Sequence, residues 1–316
     1  MIKIDSSYKY PIFFFALIAL ISFSEISNSD ETRADQCAST IPVVGIVSVL
    51  CETQPTIQKV IFHKVAFCTA IPTAPTLTAA TVMTNCSTVF ENTAGTTVSI
   101  EKGVGAIPAG TFTDPPLGNY TFAYIELSPS LTYQANLVFS GSRALSSNVS
   151  NVGDPGTGTA TGFNHCQTNG SDNFYWDFLT GITCQLAPAT AAPTINFLNS
   201  LDNNSPEYQG RFPGTNGNTD VFLTKSNGTL ATAPITDPPN ADFGRAKKGN
   251  VEKLIIFLPM TAKITPDTTS YNLRYNNTRG MVVWNNVNAH SVAVEGNKKF
   301  NIGFNVAYFD MTFEIQ

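Results

Sequence analysis

The sequence predicts an all-β protein, built as antiparallel β-sandwiches in two domains, stapled by disulfides and preceded by an N-terminal signal helix. Three observations lead there. Threonine (38 residues), glycine (22) and proline (19) are abundant, and all three are poor helix material. Charged residues make up only 13% of the chain, about half of the roughly 25% usual in soluble domains, so the Lys, Arg and Glu that populate exposed helix faces are sparse. Apolar residues also recur with period two in one segment after another, the signature of half-buried strands. With 316 residues and 42% hydrophobic content a large core can be built, which excludes the disordered class. A net charge of −5 provides no basic stripe for nucleic acid.

The chain opens on an export signal, residues 1–34. Lys3 and Lys9 give a weakly positive start, and Pro11 to Phe23 is a largely apolar run of thirteen residues. As a helix that run reaches about 20 Å, short of the roughly 30 Å core of a bilayer, as in a secretory signal. An uncleaved membrane anchor is the alternative and would need tilt or local thinning. Small residues allow cleavage after Ser24, Ser29 or Ala34. Cys37 follows Ala34-Asp35-Gln36, which is not the small apolar context of a lipid-modified cysteine. The expected destination is extracellular, cell-surface or periplasmic, with membrane contact only through this segment.

Six cysteines suit an oxidising compartment: Cys37, Cys51, Cys68, Cys86, Cys166 and Cys184. Fifteen pairings are formally open. Neighbour pairing is the simplest, and each closed loop would contribute about 3 kcal/mol in the chain-entropy model. Structural zinc would need close Cys or Cys/His pairs at ligand spacing, and none is present.

Strand candidates follow in order. Val60–Phe67 and Thr88–Phe90 come first, then Tyr120–Leu127 and, after a Ser-Pro-Ser turn, Tyr133–Phe139. Val221–Thr224 and Thr229–Ala231 flank Asn227-Gly228, a dipeptide that accepts the positive φ of a tight turn. Leu254–Leu258 is continuously apolar, as a strand buried on both faces would be. Tyr271–Tyr275 and Met281–Trp284 form a hairpin candidate across Asn277–Gly280. In the last stretch, Phe300, Ile302, Phe304, Val306 and Tyr308 alternate in one phase and Phe309, Met311, Phe313 and Ile315 in the other, which implies a bulge or a change of sheet. The polar, Gly/Ser/Thr-rich stretch 146–162 has little to bury and divides an N-terminal β-domain, 35–145, from a C-terminal one, 163–316.

Chemistry is sparse. The three histidines, His63, His165 and His290, sit in unrelated contexts, and no nucleophile elbow, zinc-protease or phosphate-loop motif occurs. Nothing selects two acids as a glycosidase pair. Two features rise above this background. Tyr175, Trp176 and Phe178 lie between Cys166 and Cys184, where a crosslinked loop could offer ring faces to a glycan or a protein partner; the plainer reading is a buried strand. Asn216, Asn218 and Asp220 alternate oxygen-bearing side chains in a Gly-containing loop, as in calcium loops, but the later bidentate Glu is missing and a solvated turn is the plainer reading. Apart from that weak calcium option no cofactor is expected. Seven Asn-x-Ser/Thr sequons, at Asn85, Asn119, Asn148, Asn169, Asn203, Asn227 and Asn276, do not exceed chance for this composition.

The expectation is a non-catalytic exported or cell-surface β-protein acting in adhesion, coat formation or assembly, with the C-terminal strand as a surface for pairing with a second copy or another surface protein. The alternative is a secreted carbohydrate-binding module, or a hydrolase on a β-scaffold.

Overall fold

A computed structural model describes residues 48–100, 106–138, 145–146, 165–171, 173–174, 182–185, 187–198, 201, 208–212, 214, 216–232, 250–276, 281–286, 300–306 and 310–316. Outside them lie the expected signal segment 1–34, Cys37, His290, the aromatic trio Tyr175, Trp176 and Phe178, and all of the 146–162 stretch except Ser146. Among the described residues the chain is all strand, without a helix.

In chain order the first strands are β1 (Ser48–Thr53), β2 (Ile57–Cys68), β3 (Cys86–Ile100), β4 (Thr111–Phe112), β5 (Gly118–Leu127) and β6 (Ser130–Gln134). Next come β7 (Asn136–Val138), β8 (Leu145–Ser146), β9 (His165–Thr168), β10 (Asn173–Phe174), β11 (Ile182–Gln185) and β12 (Thr194–Phe197). The chain continues through β13 (Gln209–Phe212), β14 (Thr219–Thr224), β15 (Lys253–Ile264) and β16 (Tyr271–Asn276). It closes with β17 (Met281–Asn286), β18 (Phe300–Val306) and β19 (Asp310–Ile315).

Ten of these form one sheet in the order β10-β12-β6-β2-β5-β15-β14-β13, with β3 on β2 and β4 on β3. Pairing is antiparallel except for the two-residue contacts of β10 with β12 and β8 with β18. The order follows from side-chain chemistry. A strand apolar on both faces must lie inside the sheet, and β15 does so, with Leu254 to Leu258 all buried. Its neighbour β5 comes from the N-terminal half, with Ile125 opposite Ile256. The two expected domains, 35–145 and 163–316, thus contribute adjacent strands to a single sheet.

The sheet buries a different cluster on each face. Val65, Phe67, Ile125, Leu127, Leu254, Ile256 and Leu258 belong to the large core; Ala66, Cys68, Tyr124, Phe222, Ile255 and Phe257 form the second. This is the period-two partition of strand side chains. A register shift in β15 between Pro259 and Ala262 lets Tyr120 and Ala123 of β5 share the large core, because a bulge inverts the alternation locally.

The large core is closed by the two-stranded ribbon β16–β19. Leu273 and Tyr275 stand opposite Phe313 and Met311, and all four are buried. The Phe67 ring meets Phe313 at 5.2 Å and Tyr271 at 5.5 Å between centroids, both edge-on, the geometry that aromatic quadrupoles favour.

Two turn regions differ from expectation in an instructive way. Tyr271–Tyr275 and Met281–Trp284 are not a hairpin. Strand β16 pairs with β19, while β17 lies between β1 and β18 in a separate four-stranded sheet. Pairing with β19 sets the apolar positions of β16 against Met311 and Phe313, a choice that local turn residues cannot reveal. Tyr133–Phe139 is likewise divided: β6 stays in the large sheet, and β7 joins β9 and β11 in a three-stranded one. Ala135, between them, exchanges hydrogen bonds with Thr168.

The phase slip near the C-terminus is a change of sheet, since β18 pairs with β17 whereas β19 pairs with β16. The Asn227-Gly228 turn forms with Gly228 at φ +83°, but its return arm is a single bridge, Thr224 to Leu230.

Candidate functional site

The site grows out of the second face of the sheet. Strand β2 ends on Cys68, fully buried, and β3 begins on Cys86 directly opposite. Their disulfide spans a Cα–Cα distance of 4.0 Å, so the seventeen residues Thr69 to Asn85 leave and return at one crosslinked point. Thr69 N–H donates to the Asn85 carbonyl at 2.9 Å, and Thr73 and Val82 exchange both backbone hydrogen bonds at 3.1 and 3.2 Å. At the tip, the Thr76 hydroxyl accepts the Ala79 N–H at 3.0 Å while Thr76 N–H donates to Ala79 O at 2.8 Å. This is the local side-chain-to-backbone bonding that threonine favours in turns. Pro72 and Pro75 restrict φ along the arm.

The loop folds over the sheet. Leu230 N–H donates to Thr76 O at 2.8 Å, the Thr121 hydroxyl donates to Thr69 O at 3.0 Å, and Met83 and Leu230 pack on the second cluster. At Gly228 a Cβ would come within 3.1 Å of the Ala80 Cβ, so the two turns touch where only glycine leaves room. Among exposed threonines the loop also holds three large aliphatic side chains outward: Ile71 is 49% exposed, Leu77 59% and Val82 46%. No residue from 69 to 85 carries a charge. A rigid, uncharged loop with three large aliphatic side chains held in water is suited to contact with another surface, because burying those groups recovers about 25 cal/mol per Å².

The same sheet carries charges spaced across its strands. Lys64 of β2 pairs with Glu91 of β3 at 2.6 Å, and Lys253 of β15 pairs with Glu126 of β5 at 2.8 Å. The Tyr124 hydroxyl donates to Glu126 at 2.9 Å. Burial, reinforced by the Glu126 charge, pushes the Tyr124 phenol far above its ordinary value. Burial together with the Asp114 charge and Tyr120 pushes Tyr271 up to about 12. Both phenols are therefore neutral at physiological pH. Among the described residues no group of three or more His, Cys, Asp or Glu is gathered as metal ligands would be.

The residues singled out from sequence are distributed as follows. Cys68 and Cys86 are joined. Cys51 lies on β1 opposite Val283, and Cys166 on β9 lies opposite Cys184 on β11; Cys37 lies outside the described residues. Asn216 and Asn218 are exposed in the turn before β14, but the Asp220 carboxylate is held by Arg211 through two hydrogen bonds, at 2.5 and 2.9 Å. A cation there would have to displace a bidentate guanidinium. That pairing raises the Arg211 pKa, the hydrogen bond being the larger cause. His63 lies on β2 of the large sheet and His165 on β9 of the three-stranded sheet. Sequence reasoning passed over Ile71, Leu77 and Val82. The signal that could have found them is a seventeen-residue stretch between two cysteines without one charge.

No protein-family model, no curated protein and no solved structure matches this chain.

Proposed function

We propose that this chain is a non-catalytic exported or cell-surface β-protein acting in adhesion, coat formation or assembly, and that it meets its partner through the disulfide-closed loop 69–85. The reading includes a sandwich, with the β16–β19 ribbon as the layer facing the large sheet across Phe67. One observation carries the functional part: three large aliphatic side chains, at 46% exposure or more, on an uncharged loop held at its base by Cys68–Cys86. A loop that only connected two strands would gain nothing from such a display. The C-terminal strand is the weaker choice of contact, because Met311 and Phe313 are 2% and 8% exposed and belong to the chain's own core.

The test is the double substitution Ile71→Asp and Leu77→Asp in the full chain. Both side chains are solvent-facing, so the thermal midpoint should hold, as it does for most surface changes. Self-association by sedimentation and attachment of cells displaying the chain should both be lost. If attachment and sedimentation are unchanged while the fold is intact, the loop is not the contact. Binding to a glycan panel that survives this double substitution but is lost on Trp176→Ala would favour the carbohydrate-binding alternative.

A further inference from the structure

We propose that Cys166 and Cys184 form a second cross-strand disulfide. The reasoning starts from the staple already described. Cys68 and Cys86 are directly opposed on antiparallel strands, with 18 residues of sequence separation and a Cα–Cα distance of 4.0 Å. Cys166 and Cys184 repeat that relation. They are direct partners in the antiparallel ladder of β9 and β11, within the unbroken register Ile182 to Thr168, Thr183 to Gln167, Cys184 to Cys166 and Gln185 to His165. Their sequence separation is the same as that of the first staple.

Directly opposed residues of an antiparallel pair have Cα atoms about 4.5 or 5.5 Å apart, depending on whether the pair is hydrogen-bonded. Both values fall within the roughly 4.4–6.8 Å that a disulfide requires. The competing cysteines among the described residues are placed elsewhere. Cys68 and Cys86 are consumed by each other, and Cys51 sits on β1 opposite Val283, in the four-stranded sheet. Backbone register therefore points to Cys184 as the partner of Cys166.

The bond would act where three sheets meet. Strand β9 is tied to the end of the large sheet, since Thr168 exchanges hydrogen bonds with Ala135, while β11 continues away from it on the far side of β9. A crosslink at this ladder ties β9 to β11 and closes the intervening segment that carries β10. In the chemistry, both thiols lose their protons and together give up two electrons. An S–S bond forms between Cys166 and Cys184, the S–S bond of an oxidant such as glutathione disulfide breaks, and two glutathione thiols leave, by way of a mixed disulfide.

The experiment uses the full chain, reduced and then equilibrated in a glutathione redox buffer. Remaining thiols are blocked, the protein is digested without reduction, and crosslinked peptides are identified by mass. The expected result is a peptide pair joining Cys166 to Cys184 beside the pair joining Cys68 to Cys86. Recovery of Cys166 or Cys184 as a blocked free thiol, or joined to Cys37 or Cys51, overturns the proposal. A Thr183→Pro variant gives a second readout: breaking the ladder at the neighbouring residue should lower the yield of the Cys166–Cys184 peptide several-fold while the Cys68–Cys86 peptide persists. An unchanged yield would mean that register does not choose the partner. The outcome is independent of whether loop 69–85 binds anything.

Discussion

Phe67 is the point at which the architecture can be tested most directly. Its ring is fully buried and meets Tyr120, Tyr271 and Phe313 at centroid distances of 5.8, 5.5 and 5.2 Å. Two of those partners lie on the ribbon that closes the core. The perturbation is a double-mutant cycle of Phe67→Leu and Phe313→Leu, which removes the rings but keeps apolar bulk. Each single change should cost about 1–2 kcal/mol, below the roughly 3–5 kcal/mol of a Phe→Ala truncation. The contact between the rings is an edge-on aromatic pair, which contributes about 0.5–1.5 kcal/mol beyond its area. The double variant should therefore lose about 1 kcal/mol less than the two single losses added together. Urea unfolding at equilibrium, followed by tryptophan fluorescence, supplies the free energies. Sites out of contact add to within about 0.3–0.5 kcal/mol, so additivity inside that margin would refute the packing of β19 against β2. The cycle also bears on assembly. If a second copy supplied β19, unfolding midpoints would rise with protein concentration; a ribbon from the same chain predicts that they do not.

Three further outcomes follow from the same contacts. Replacing Cys68 and Cys86 together by Ala should cost about 3 kcal/mol, the loop-closure value for a separation of this length, and should open 69–85 to limited proteolysis; a loss below about 1 kcal/mol would mean that the loop orders without its staple. Gly228→Ala should destabilise by about 1 kcal/mol or more, since φ is +83° and the new Cβ would crowd Ala80, whereas Gly228→Asn should recover part of that because Asn tolerates this conformation. Equal melting points for the two variants would contradict that account. The third concerns alkaline pH. The folded-state pKa values of Tyr124 and Tyr271 lie above the unfolded value, so above pH about 10 the unfolded chain binds fewer protons than the folded one and stability falls as pH rises. Below that pH the contribution is complete. Tyr124→Phe should flatten the alkaline limb of the stability profile, measured by denaturation at stepped pH, and an unchanged slope would count against burial as the cause.

How much could be read in advance depended on how local the responsible physics was. Period two in Val60–Phe67 and Tyr120–Leu127 reports the two faces of a strand, and both segments are strands. The unbroken apolar run Leu254–Leu258 likewise announced a strand buried on both faces, and the phase slip between Tyr308 and Phe309 announced a bulge or a change of sheet, of which the second is found. The candidate loop was half legible. Its closing cysteines stood out by number and spacing, but the exposure of Ile71, Leu77 and Val82 ran against the default that aliphatic side chains go inside.

By itself, then, the sequence determined the strand class, the faces of the central strands and the Asn227-Gly228 turn, and it made Cys68 with Cys86 the simplest of several open pairings. These follow from torsional preference, alternation and short loop closure, each set within about twenty residues. The tertiary structure alone decided that β5 lies against β15, that β16 takes β19 and not β17, and which apolar residues stay in water. Pairing between distant strands is a competition among all segments with matching faces, decided by how much apolar surface each combination buries. No window of the chain contains that comparison.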